Sequence, residues 1–299
     1  MRRLASPSSL RCVLRIKLAG VCLLLAACAA PARIDLDAQA LAAALARRPI
    51  VLLGEVHDNM AQHAARVSAL RQLLRQGARP ALAFEQFDRE RQADIDRARR
   101  ETPPAGSSRS QHLITQASPQ RSGWDWVLYR PYIELALEYE LPILAANLSR
   151  ADASRVASQG FAAVFDGAAI GALGLDALAL AAVRAQELAI DEGHCNKLPA
   201  EMVVRLARSQ TARDAALALA IAPQAERGVV LLTGNGHARN DIGVPMFLSA
   251  AQRARSITIG LLEDQGTTPE WRARFDVAFV TPTQPRPDPC AGVKKPATP

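Results

Sequence analysis

Short apolar runs punctuate this chain at intervals: Ile50-Val51-Leu52-Leu53, Ala81-Leu82-Ala83-Phe84, Ile143-Leu144-Ala145-Ala146, Val229-Val230-Leu231-Leu232-Thr233, Ile257 to Leu262 and Val277 to Val280. In the first and fourth, no polar residue alternates with the apolar ones. That pattern predicts strands buried on both faces, as in parallel sheets covered by helices. Between the runs lie longer stretches with helical spacing. Asp35 to Arg47 predicts an Ala/Leu-rich helix stopped by Pro49. Ala64, Val67, Leu70 and Leu74 mark the apolar stripe of a helix from Met60 to Gln76, with Gly77 as its stop. A charged helix comes next over Arg89 to Arg100, and Trp124-Asp125-Trp126 opens another that reaches Tyr139. Residues 150–222 read as helix, including Leu178 to Ile190 and Glu201 to Ile221, parted by the turn Gly193-His194-Cys195-Asn196. Thr102 to Arg121, rich in Pro, Gly and Ser, predicts an exposed loop. Six prolines after Thr281 predict an extended, mostly disordered tail over residues 282–299. The sum is one α/β domain over residues 49–281: a mainly parallel sheet flanked by helices, with the long helical stretch as a cap beside the strand ends.

The front of the chain reads as an export signal over residues 1–27. Arg2, Arg3, Arg11, Arg15 and Lys17 form a basic segment, and Leu18 to Ala27 are too few to span a bilayer. Leu25-Ala26-Ala27-Cys28 resembles a bacterial lipobox, which makes Cys28 the expected site of acylation and residues 28–48 a lipid-anchored linker with the first helix. An ordinary secretory cleavage nearby is the alternative. Ala29 after the cysteine, where Asp would retain a lipoprotein at the inner membrane, favours the outer membrane of a Gram-negative envelope.

Removing that segment changes the electrostatic picture. Five of the positive charges behind the formal +7 sit before Cys28, which leaves about +2 for the rest. The basic pI is then a targeting signature, and without a stripe of interleaved basic and aromatic residues it gives no support for a nucleic-acid partner. Cys12 and Cys22 leave with the signal, so Cys195 and Cys290 remain, either as a disulfide clipping the tail to the body or as two thiols. Their spacing fits no zinc pattern.

The candidate chemistry sits where two strands end. Gly54-Glu55-Val56-His57 and Gly234-Asn235-Gly236-His237 each place a histidine three residues past a glycine, about 180 residues apart. In open α/β sheets ligands bind beyond the carboxyl ends of the strands. The run Ala81 to Phe84 delivers Glu85 to the same edge. Two histidines and two carboxylates thus converge from distant parts of the chain, although a lone histidine after a strand is more often a loop residue bound to a backbone carbonyl. Other polar residues carry less. Asp58 and Asn59 suit a helix N-cap, His63 a helix surface, His112 a loop and His194 a turn. Arg213 and Asp214 suit a solvated or structural pair. Arg239 comes close enough after the second motif to pair with a carboxylate, of the protein or of a ligand.

These residues, with Phe84-Glu85-Gln86-Phe87-Asp88, Trp124-Asp125-Trp126-Val127-Leu128-Tyr129-Arg130-Pro131 and Gly243-Val244-Pro245, give a chain that resembles the ChaN-like haem-binding lipoproteins of the Tiki/TraB and erythromycin-esterase-like superfamily. The resemblance runs from about Ile50 to Pro245 and implies two chemistries. In the haem-binding branch it implies iron uptake and tyrosinate ligation of ferric haem. Its partners would be haem, the membrane through the anchor, an outer-membrane haem receptor and a second copy of the chain. Tyr129 and Tyr132 then become candidate ligands, three apart on one helix face, beside Trp124 and with Arg130 as a cation for a propionate. Tyr139 is the other tyrosine, and the motif does not say which would serve. No Cys-x-x-Cys-His sequence is present, so such haem is non-covalent. In the hydrolase branches Glu55, His57, Glu85 and His237 either hold a divalent metal, with His57, Glu85 and His237 as ligands, or activate water directly. No Gly-x-Ser-x-Gly elbow is present to suggest a serine nucleophile.

Overall fold

A computed structural model describes residues 33–118 and 123–292; the expected signal segment and Cys28 lie outside these described residues. In chain order the elements are β1 (Ile34–Asp35), α1 (Ala38–Leu45), β2 (Ile50–Leu53), α2 (Met60–Arg75), β3 (Ala81–Asp88), α3 (Gln92–Arg100), α4 (Arg109–Ala117), α5 (Trp126–Glu138) and β4 (Ile143–Asn147). After these come α6 (Arg150–Gln159), α7 (Gly167–Leu173), α8 (Leu180–Gly193), α9 (Ala200–Ile221), β5 (Val229–Leu232), α10 (Asn235–Ala238), α11 (Ala250–Ala254), β6 (Ser256–Glu263), α12 (Pro269–Arg272) and β7 (Val277–Thr281).

The strands form one seven-stranded sheet in the order β1-β7-β6-β2-β5-β3-β4, and every pairing is parallel. The apolar runs therefore do what their lack of alternation demands, since each strand buries both faces. Leu53, Leu82, Phe84 and Leu232 point into the core under α1 to α5. Leu52, Ala81, Ala83 and Leu231 point into the core on the other side, under α6 to α9. The helical stretch is thus mainly a layer over one face, and only the middle of α9 reaches the strand ends.

Two expectations need correction. The segment Thr102 to Arg121 contains α4, whose N-cap Ser108 accepts from Gln111 N and whose Leu113, Ile114 and Ala117 are buried. Its Pro, Gly and Ser residues crowd the approach to the helix and disguise a short apolar stripe behind them. The tail is extended over 282–292, yet it is tied down. Arg286 clamps Asp58 (2.8 and 2.9 Å) and Glu263 (2.7 and 2.8 Å), and a disulfide joins Cys195 to Cys290. Among the described residues no helix is long and apolar enough to cross a membrane.

Candidate functional site

β2 and β5 lie side by side in register at the centre of the sheet, Leu53 opposite Leu232. This register brings the two glycine–histidine motifs together. Gly234 packs against the His57 ring so closely that a Cβ there would stand 2.7 Å from His57 Nε2, which is a physical reason for glycine at this position. β3 pairs with β5 only as far as Phe84 and then runs on through a register shift to Asp88. That irregular extension lets Glu85 and Gln86 both border the same space.

Glu55 sits at the base with its side chain fully buried. Arg66, also fully buried, pairs with it and donates to Leu53 O at 3.1 Å. The Tyr129 hydroxyl donates to Glu55 Oε1 at 2.6 Å, and His57 Nδ1 lies 3.0 Å from the same oxygen. A carboxylate only accepts, so Nδ1 carries the hydrogen and Nε2 keeps its lone pair in the neutral ring. The His57 side chain is 44% exposed, and Nε2 is its one ring nitrogen without a hydrogen bond among the described residues. His63 holds the backbone here, bonding His57 O at 2.9 Å and the Tyr132 hydroxyl at 3.0 Å. It is a buried structural group and not the surface residue expected of it, and burial lowers its pKa.

His237 has a different environment. Its Nδ1 lies 2.6 Å from Asp214 Oδ1, and its Nε2 lies 3.4 Å from Glu85 Oε1 and 2.9 Å from the Gln210 amide nitrogen; a protonated ring needs that carboxamide turned so that its oxygen accepts. Burial disfavours the charged ring, but the Glu85 and Asp214 charges outweigh it and raise the pKa to about 10. Burial likewise pushes Glu85 upward, yet His237 brings it well below the ordinary carboxylate range, helped by the Thr233 hydroxyl at 2.6 Å. Asp214 shows burial winning and rises to about 6. The two carboxylates therefore favour the imidazolium form of His237 at neutral pH.

The expected metal set does not assemble. Both nitrogens of His237 are engaged and Glu85 is committed to His237, Thr233 and Gly234 N, so neither offers a free lone pair in the right place. Among the described residues no three His, Cys, Asp or Glu side chains are arranged to hold a metal ion. The tyrosine expectation is corrected too. Tyr129 and Tyr132 do share a helix face, but it points into the core: they are 1% and 0% exposed and do not line the cavity. Burial raises both phenols, which opposes phenolate formation. Tyr139 lies elsewhere, its ring against Arg79. Arg130 donates to Gln111 (2.9 Å) and Arg239 to Asp241 (2.6 and 2.8 Å), both away from the cavity.

The cavity itself has a volume of about 980 Å³, the upper end of the range for small-molecule sites. His57 and Trp124 stand together on its wall, rings edge-on at 4.9 Å between centroids. Leu262 and Trp271 line the end above β6, and Arg150 and Arg213 the end above β4. Arg213 and Asp214, expected as a solvated or structural pair, bond Asn147 and His237 instead, and sequence reasoning missed Gln210, Arg150 and Trp271. Their only signal was helical spacing, which placed 210, 213 and 214 together without saying which way they faced.

A parallel α/β sheet with a large cavity over its carboxyl ends, lined by a carboxylate-oriented histidine, aromatic walls and arginines, defines a small-molecule-binding protein. The chain belongs to the family described as haem-binding uptake, Tiki superfamily, ChaN, whose pattern matches residues 41–248. It is similar to a solved structure described as cofacial haem binding to ChaN of Campylobacter jejuni, at 19% identity and a TM-score of 0.62, over 80% of this chain and 90% of that one. Weaker likenesses are a variant of the erythromycin esterase EreC in its open conformation (14% identity, TM-score 0.43, 74% and 71% covered) and a Bacillus cereus protein (12%, 0.37, 76% and 75%). No curated protein sequence matches.

Proposed function

We propose that this chain is a lipid-anchored haem carrier of the cell envelope, binding haem non-covalently in the strand-end cavity as part of iron uptake. The observation that carries the reading is His57: its Nδ1 is held by Glu55, its Nε2 has no hydrogen bond among the described residues, and its half-exposed ring lines a cavity large enough for a flat ligand. A carboxylate behind an imidazole fixes the ring and raises its basicity as a metal ligand. The group fits on size, on the flat walls Trp124 and Trp271 and on this nitrogen donor; a phenolate donor is what the cavity lacks. His57 would ligate the iron, with the two tryptophans against the macrocycle. Bound haem would supply the ferric iron that is the cargo.

The test is a haemin absorbance titration of the purified chain and of His57→Ala. Saturable binding with a ligand-field spectrum that His57→Ala abolishes supports the reading; a spectrum indifferent to His57→Ala overturns it. Anchoring through Cys28 is part of the proposal, because Leu25-Ala26-Ala27-Cys28 precedes the domain. Cys28→Ala should release the protein from detergent-soluble membrane. Transfer to an outer-membrane receptor and pairing of two haem-loaded copies complete it. Sedimentation with and without haemin reads the pairing.

One observation favours a second reading, a water-activating hydrolase. The same His57 Nε2 lone pair, backed by Glu55, is placed to take a proton from water. Hydrolysis of a broad ester panel, lost in both His57→Ala and Glu55→Gln, would support that reading without a metal.

A further inference from the structure

The cavity is electrically lopsided. It runs over the ends of β6, β2, β5, β3 and β4, about 19 Å at the usual strand spacing. Its β6 end holds Leu262, Trp271 and Glu263, and Glu263 is paired with Arg286, which it shares with Asp58. At the opposite end, Arg213 Nη1 donates to Asn147 Oδ1 (2.8 Å) and Leu148 O (2.6 Å). Those two bonds fix the guanidinium but use only one nitrogen. Nε and Nη2 have no partner among the described residues. Arg150, first residue of α6, lines the same end and makes no ion pair or side-chain hydrogen bond among the described residues. Burial holds Arg213 below its usual pKa and the nearby Arg150 adds to that, against the opposing pull of Glu85 and Asp88. Asp88 is half-buried and pairs with neither within ion-pair distance, and Glu85, which acts on Arg213 more strongly, is already paired with His237. Two guanidinium groups against one unpaired carboxylate leave a positive charge facing the cavity.

Gln86 is 3% exposed and lines the cavity, and its carboxamide interacts with the Tyr129 hydroxyl.

We infer that Arg213 and Arg150 form a carboxylate subsite that orients an amphipathic, carboxylate-bearing ligand, its acid groups at the α6–α9 end and its apolar edge against Leu262 and Trp271. A planar guanidinium fork pre-fixed by Asn147 matches a carboxylate in two parallel hydrogen bonds. This rests on the haem-carrier reading, in which the carboxylates are the propionates.

The test compares haemin with haemin dimethyl ester, and iron-free protoporphyrin IX with its dimethyl ester, on the full chain. The wild type should bind each free acid about tenfold or more tighter than its ester, the order expected for losing a charge-assisted hydrogen bond. Arg150→Gln should remove about the same factor for the acids and nothing for the esters, with Arg150→Lys recovering part of it. Arg213→Gln should lose more, and circular dichroism shows whether it folds, since it also anchors Leu148 O. Arg150→Gln, which breaks no bond in the fold, decides the matter if Arg213→Gln does not. Equal affinity for acid and ester, or equal loss for both in Arg150→Gln, overturns the subsite. Binding of protoporphyrin IX with this pattern but no iron-ligand spectrum from haemin would overturn the His57 reading and leave the subsite standing. Failure of every tetrapyrrole to bind overturns both.

Discussion

The Tyr129 hydroxyl donates to Glu55 Oε1 at 2.6 Å, and the same oxygen receives His57 Nδ1 at 3.0 Å. One buried carboxylate thus ties a core phenol to the half-exposed histidine of the cavity wall. Tyr129 acts through Glu55 and does not reach a ligand. Tyr129→Phe should therefore keep a haemin spectrum of wild-type shape while lowering stability by about 1–2 kcal/mol, the cost of one lost buried hydrogen bond. Chemical denaturation measured beside the titration checks both. Loss of the spectrum with the fold intact would mean that a phenolate ligates after all.

Gly234 and His57 are in contact across β2 and β5, so Gly234→Ala tests the site without touching its chemistry. The new methyl would meet His57 Nε2 at 2.7 Å and Cε1 at 2.9 Å. The imidazole is half exposed and can swing away, so the fold should survive with little change in Tm. The ring would then leave Glu55. Ligand affinity should fall by about tenfold or more, as losses of groups that orient a ligand typically do. An unchanged affinity in the alanine variant would show that the orientation of His57 is immaterial.

How far these relationships were legible in the sequence depends on the residue. Glu55, His57, Glu85 and His237 could be placed because unbroken apolar runs mark strands buried on both faces, and parallel strands deliver the residues at their carboxyl ends to one edge. The spacing of Tyr129 and Tyr132 correctly gave a shared helix face. It could not say that this face packs inward on the sheet, because that depends on which side of α5 the core lies. Asp214, Gln210 and Arg213 lie within a long Ala-rich helix, where charged residues usually face solvent. Only the crossing of α9 over β3 and β4 turns that face toward the strand ends. Arg150 and Trp271 come from separate connections after different strands, so no local pattern links them.

The cluster of His237, Glu85 and Asp214 sets a pH dependence. The His237 pKa is raised from 6.5 to about 10, so the stabilisation it provides is fully present below pH 6.5 and is lost as pH rises through about 10. Glu85 is depressed, so its contribution disappears only in strong acid. Asp214 works the other way: its rise to about 6 means a cost that grows as pH climbs from 3.8 to that value. His237→Asn leaves two buried carboxylates without their cation and should cost about 3–5 kcal/mol near neutral pH. The gap to wild type should narrow steadily toward pH 10, where the wild type loses the same cation. Denaturation midpoints of the two proteins from pH 6 to 10 give the test, and a constant gap would mean that His237 is neutral throughout.

The tail is held at two places, Arg286 on Asp58 and Glu263, and Cys290 on Cys195 at the α8–α9 turn. The disulfide closes a loop of sequence separation 95, long enough for the unfolded chain to lose considerable freedom when it forms. By chain entropy that is worth about 2–5 kcal/mol, less any part offset by residual structure in the unfolded state. Cys195→Ala with Cys290→Ala should lower Tm and leave Arg286 as the remaining tie. Because that clamp is a surface ion pair of three groups, salt should weaken it. Limited proteolysis should then cut within 282–292 in the double alanine variant at high salt, but not in the oxidised wild type. Equal protection of both proteins would mean that the clamp alone holds the tail, and that the disulfide contributes to global stability only.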